Sequence, residues 1–160
     1  MFVSGLTIDP FTNMPIVIMK DESGRVALPI WIGLIEASSI ATEIEKIELS
    51  RPMTHDLIKK IFEELNAVVK RVEINDLKDN TFFATIYVVG QNKEFSIDCR
   101  PSDGIAVALR TKSDIFVSQK VIDKSRKLEN VHQSEDQMKE QKWTEILESL
   151  EPEDFGKYKM

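Results

Sequence analysis

The sequence predicts an α+β fold: a mixed β-sheet with strand triplets each followed by helices, plus a C-terminal helical extension. Three observations carry this. Two groups of three short apolar segments are each bounded by turn residues, the hydrophobic period becomes helical after each group, and the chain turns polar after about Ile122.

The first triplet is Val3 to Asp9, Pro15 to Lys20 and Arg25 to Trp31, rich in Val, Ile, Met and Phe. Turn clusters at Pro10 to Asn13 and Asp21 to Gly24 separate its members. Ala37, Ile40, Ala41, Ile44 and Ile47 then fall on one face of a helix, with Glu43, Glu45, Lys46 and Glu48 on the other. A second helix follows Arg51-Pro52, with an apolar stripe of Leu57, Ile58, Ile61, Phe62 and Leu65 and Thr54 as its cap. The second triplet is Val68 to Ile74, Thr81 to Val89 and Glu94 to Arg100. A short helix from Asp103 to Arg110, capped by Ser102, and a strand from Asp114 to Val117 complete a domain of residues 1–122. Residues 123–160 read as a polar linker and an amphipathic helix bearing Trp143, Ile146, Leu147 and Leu150.

Composition narrows the function. With 160 residues, 42% hydrophobic and 30% charged, the chain has room for one ordinary core. No apolar run is long enough for a membrane helix, and the N-terminus lacks the basic and apolar regions of a secretory signal. The single cysteine, Cys99, points to a reducing cytoplasm. A net charge of −6 argues against coating nucleic acid through bulk positive charge, but leaves room for a local phosphate site. Two histidines and one cysteine exclude the common zinc signatures by number, so any metal would rest mainly on carboxylates.

Two segments are alike. Arg51-Pro52-Met53-Thr54-His55-Asp56 and Arg100-Pro101-Ser102-Asp103 each place Arg-Pro, a hydroxyl and a carboxylate at a helix start. Capping accounts for Thr54, Ser102 and Asp103. It does not account for Arg51 and Arg100, whose guanidinium forks match phosphate beside helix N-termini that favour anions. The bland alternative for each arginine is a structural ion pair. His55, expected at an exposed first turn, is the natural general acid or base. In the strand before the second corner, Phe95, Ile97 and Cys99 should face the core, while Asp98 and Arg100 share the opposite face. Cys99 then reads as a small hydrophobe and not as a nucleophile. Glu36, Asp56, Asp98 and Asp103 could hold a divalent ion such as Mg²⁺ if the fold gathers them.

The segments LPIWIGLIEASSIA (28–41), RPMTHDLI (51–58) and FSIDCRPSDGIAVALR (95–110) resemble the bifunctional nuclease domain family, over roughly residues 1 to 122, and the tail EPEDFGKYKM (151–160) resembles the ending of bacterial members. That resemblance implies a self-associating α+β domain that cleaves DNA and RNA with little base preference. By position, the family's recurring polar residues fall on Glu36, Arg51, Thr54, His55, Asp56, Asp98, Arg100, Ser102 and Asp103. Gly104 stands where the family pattern suggests alanine, and Cys99 where it suggests a small residue.

Two readings follow. In a nuclease, His55, Asp56, Asp98 and Asp103 would be catalytic. Arg51, Arg100, Thr54 and Ser102 would hold phosphate, and Glu36, Asp98 and Asp103 would be the metal candidates. In a non-catalytic binding or regulatory module, the Arg-Pro corners would be ion-pair nodes. Exposed strand edges point to a homo-oligomer, with a twofold dimer favoured.

Overall fold

The structure is a computed structural model, and it describes residues 1–127. Strands β1 (Phe2–Ile8), β2 (Pro15–Lys20) and β3 (Ala27–Trp31) form an antiparallel sheet in sequence order. Asp9 turns the chain between β1 and β2 by accepting the Phe11 N–H at 2.9 Å and the Thr12 N–H at 3.3 Å. Two helices follow, α1 (Leu34–Ile44) and α2 (Thr54–Glu64).

Strands β4 (Val68–Lys78), β5 (Thr81–Gly90) and β6 (Lys93–Cys99), helix α3 (Pro101–Thr111) and strand β7 (Asp114–Val117) complete the compact unit, Met1–Asp123. The second sheet runs β6-β5-β4-β7, with β7 parallel to β4 and the other pairs antiparallel. To reach β7 the chain must cross from one sheet edge to the other, and α3 makes that crossing over β5 and β4. Helices α1 and α2 pack against α3. Being covered from both sides, α3 buries Pro101, Ser102, Ile105, Ala106, Val107, Ala108 and Arg110. Gly104 permits the close approach: a Cβ there would lie 2.8 Å from Val72 Cγ1 and 3.2 Å from Cys99 Sγ.

The α+β class and the strand triplets are as the sequence predicts. Several details differ. Helix α2 is capped at Met53, with Thr54 already inside, because the Asp56 carboxylate reaches back to accept the Met53 N–H at 2.9 Å. Helix α3 starts at Pro101, whose fixed φ suits the first helical position, so Arg100 is the cap and Ser102 lies in the first turn. The stripe on α2 is only half covered: Ile58 and Phe62 are partly buried, while Leu57, Ile61 and Leu65 are exposed. Phe95 and Ile97 point to the side of buried Val88 and Ile86, yet remain half exposed because β6 is an edge strand.

Residues 119–127 are helical, where the sequence suggests a linker beginning at 123. The expected helix around Trp143 lies outside the described residues. Among the described residues, no helix is long and apolar enough to cross a membrane.

Candidate functional site

The two Arg-Pro segments meet through their helices. His55, on the first turn of α2, is 8% exposed rather than open to solvent, because α1 and α3 close over it. Its Nδ1 lies 2.8 Å from Ser39 Oγ on α1, and its Nε2 lies 3.0 Å from Asp103 Oδ1 on α3. Asp103 also accepts from Arg100 Nε at 2.8 Å and from Arg100 Nη2 at 3.2 Å. Arg100 Nη1 donates to Glu36 Oε1 at 2.6 Å. The result is a continuous chain, Ser39–His55–Asp103–Arg100–Glu36, joining residues 36 to 103 across three helices.

Burial pushes the Asp103 carboxyl up, but the Arg100 and His55 hydrogen bonds outweigh it and hold it below the usual carboxylate range. Asp103 is therefore the ionised partner of His55, and His55 Nε2 must be the donor between them. The same carboxylate explains part of the Cys99 chemistry. Burial, then the negative charge of Asp103 and Asp98, pushes that thiol up to about 11. Cys99 is thus a reluctant thiolate, as its strand position suggests.

An open cleft of about 520 Å³ runs along this chain. Ser39, Thr54, His55, Asp98, Arg100 and Asp103 are on its wall. Glu36 and Cys99 line it too, with apolar Ile35, Met53 and Ile97 at its margins. A second depression of about 280 Å³ shares Glu36 and Arg100 and adds Trp31, Pro101 and Ser102.

Two expected site residues lie elsewhere. Arg51 is exposed, does not line the cleft, and makes no ion pair among the described residues. Asp56 turns away to meet Arg110, whose Nε donates to Asp56 Oδ1 at 2.6 Å. Burial raises the Asp56 carboxyl, and the bonds from Arg110 and the Met53 N–H more than reverse this. The metal candidates do not form a ready-made site. Glu36 and Asp103 share the Arg100 guanidinium, and no three His, Cys, Asp or Glu side chains among the described residues are grouped for a metal ion.

Sequence reasoning missed two residues. Ser39 sits mid-helix, where a serine carries no local signal beyond its hydroxyl. Arg110 is 5% exposed, and its other donors reach Ala106 O and Ser39 O, each at 3.1 Å. Its only trace in the sequence is a lone cation closing an otherwise apolar helix.

Comparison with known proteins agrees with the three segments above. The model of the bifunctional nuclease domain matches residues 17–130, which include all three. The chain belongs to the bifunctional nuclease domain family. An uncharacterized protein of Mycobacterium tuberculosis is 34% identical over 161 residues, covering 96% of this chain and 95% of its own length. Bifunctional nuclease 1 of Oryza sativa subsp. japonica is 25% identical over 71% of this chain and 35% of its own length. Bifunctional nuclease 1 of Arabidopsis thaliana is 27% identical over 66% of this chain and 34% of its own. The match to this chain therefore spans about a third of the length of these plant relatives.

Two stability tests follow from the ion pairs. Arg110→Ala should cost about 2–4 kcal/mol, because it leaves Asp56 Oδ1 and the Ser39 carbonyl without their guanidinium donor and opens a hole between the helices; thermal or urea unfolding measures this. The lowered carboxyls of Asp103 and Asp56 contribute stability that is complete above their ordinary value of 3.8 and is lost as pH falls through their lower folded values. Melting temperature should thus fall steeply below about pH 4. The fall should be shallower in Asp103→Asn, which has one such carboxylate fewer.

Proposed function

We propose that this domain hydrolyses phosphodiester bonds in DNA and RNA with little base preference. The observation that carries the reading is His55, held between Ser39 and Asp103 on the wall of a cleft that also presents Arg100. Phosphodiester cleavage needs a group to move protons and a cation for the phosphoryl oxygens. His55 is the proton carrier and Asp103 orients it. The Arg100 side chain is 65% exposed, so its fork can trade Glu36 for a phosphate at the start of α3. Ser102 and Thr54 offer hydroxyls beside that phosphate, and Asp98 borders the cleft. Arg51, on the neighbouring corner, supplies a second cation for the strand. Asp56 acts through Arg110, fixing α2 rather than touching substrate. Grips on the backbone carry no sequence information, which accounts for low base preference.

The active unit on this reading is residues 1–122, with residues 123–160 as an appendage. The lone Cys99 suits the cytoplasm. The unit works as a twofold dimer. Support comes from β6, an edge strand with exposed Phe95 and Ile97. A second β6 across a twofold axis would pair that edge and cover those side chains.

A non-catalytic module remains the rival, favoured by the two ion pairs that Arg100 already makes. Cleavage of single-stranded DNA and RNA by purified wild type, Arg51→Ala and Arg100→Ala, with and without chelator, separates the two. Arg100→Ala should lose roughly 100-fold or more in rate, and Arg51→Ala should weaken binding. Equal activity in wild type and Arg100→Ala would assign the cleavage to a contaminant and dismiss the nuclease. The chelator arm reports whether a divalent ion takes part. Light scattering should give twice the 18.3 kDa of one chain; a mass of one chain, unchanged on concentration, rules the dimer out.

A further inference from the structure

We infer that Ser39 is a nucleophile, activated by His55, that carries the substrate's phosphoryl group as a covalent intermediate. The inference rests on the phosphodiesterase reading of the same cleft and adds the group that attacks.

The hydrogen-bond pattern sets the direction of proton flow. Asp103 is ionised and can only accept, so His55 Nε2 carries the hydrogen between them. A neutral imidazole has one N–H, which leaves a lone pair on Nδ1. The hydroxyl of Ser39, 2.8 Å away, donates to that lone pair. A hydroxyl that donates to a histidine, itself oriented by a carboxylate, is the arrangement that activates serine nucleophiles.

The placement of Ser39 agrees. A helical serine or threonine commonly bonds the carbonyl one turn back, as Thr42 does to Ser38 O at 2.7 Å. Ser39 Oγ makes no such bond; its only hydrogen-bond partner among the described residues is His55. Its backbone is pinned, since Arg110 Nη2 holds the Ser39 carbonyl at 3.1 Å. The residue also lies where two depressions adjoin, the main cleft and a smaller one of about 280 Å³ bordered by Leu34, Thr42 and Arg110. Substrate in the cleft therefore reaches a hydroxyl that is oriented rather than free to rotate.

In the first step Ser39 Oγ attacks phosphorus. The Oγ–P bond forms as the bond from phosphorus to one sugar oxygen breaks. The hydroxyl proton passes to His55 Nδ1 and on to the departing sugar oxygen. In the second step His55 Nδ1 takes a proton from water, the water oxygen attacks phosphorus, and the Oγ–P bond breaks. The proton then returns to Ser39. No oxidant, reductant or further reactant is consumed.

A fluorophosphonate ester tests this without nucleic acid. The Oγ–P bond would form, the P–F bond would break, fluoride would leave, and His55 would take the proton. Intact mass and peptide mapping of the full chain should show one adduct, on Ser39. Ser38, adjacent and more exposed, should stay unlabelled. Ser39→Ala should carry no adduct, and His55→Gln should label roughly 100-fold more slowly or worse. An unlabelled wild type, an adduct that persists in Ser39→Ala, or full-rate labelling of His55→Gln overturns the inference. Because the wild-type map and the His55→Gln rate stand alone, a Ser39→Ala chain that failed to fold would not shelter the idea. The two readings fail separately. If wild type and Ser39→Ala cut DNA and RNA equally, Ser39 is not the nucleophile and the nuclease stands. If Ser39 is labelled but purified wild type cuts neither, the nucleophile stands and the phosphodiester assignment falls.

Discussion

Arg110 lies where α1, α2 and α3 converge, and each of its three hydrogen bonds goes to a different one of them. Nε reaches the Asp56 carboxylate of α2, Nη2 the Ser39 carbonyl of α1, and Nη1 the Ala106 carbonyl of its own helix. A guanidinium this deeply buried is costly to desolvate, and only full pairing makes the position tolerable. The same pairing fixes the mutual placement of the helices that carry Ser39, His55 and Asp103. The geometry of the cleft thus depends on a residue that is not on the reactive chain itself.

The reactive chain solves an electrostatic problem. On a protein of net charge −6, a cluster of Glu36, Asp98 and Asp103 would repel a phosphate strand. Arg100 neutralises two of these carboxylates from the exposed rim, so its charge is both structural and available. Asp103 Oδ2 accepts from Arg100 Nε, and its Oδ1 accepts from both Arg100 Nη2 and His55 Nε2, linking anion recognition to the imidazole in one hydrogen-bonded network.

The strands were legible because their signals are local. Turn residues bounded them, and β2 and β7 run as the pattern implies. The Arg-Pro corners were legible as a pair, since their chemistry repeats. The depth of His55 was not, because the sequence pattern of α2 shows an apolar stripe but not which helix lies over its first turn. Phe95 and Ile97 alternate correctly, yet alternation is blind to whether a strand is an edge. Ser39 and Arg110 escaped for a shared reason. Each is an ordinary helical residue whose role is set by partners 16 to 71 positions away.

That separation has a temporal consequence. Ser39 meets His55 16 residues on, His55 meets Asp103 48 residues on, and Arg110 must still follow. A chain emerging from the ribosome therefore exposes its serine and histidine well before their orienting carboxylate and the guanidinium that clamps them. Since α3 is the crossing between the edges of the second sheet, it cannot seat until β4, β5 and β6 have paired. The reactive chain closes only when α3 docks, so chemical competence waits on that one packing step and does not build up gradually during synthesis.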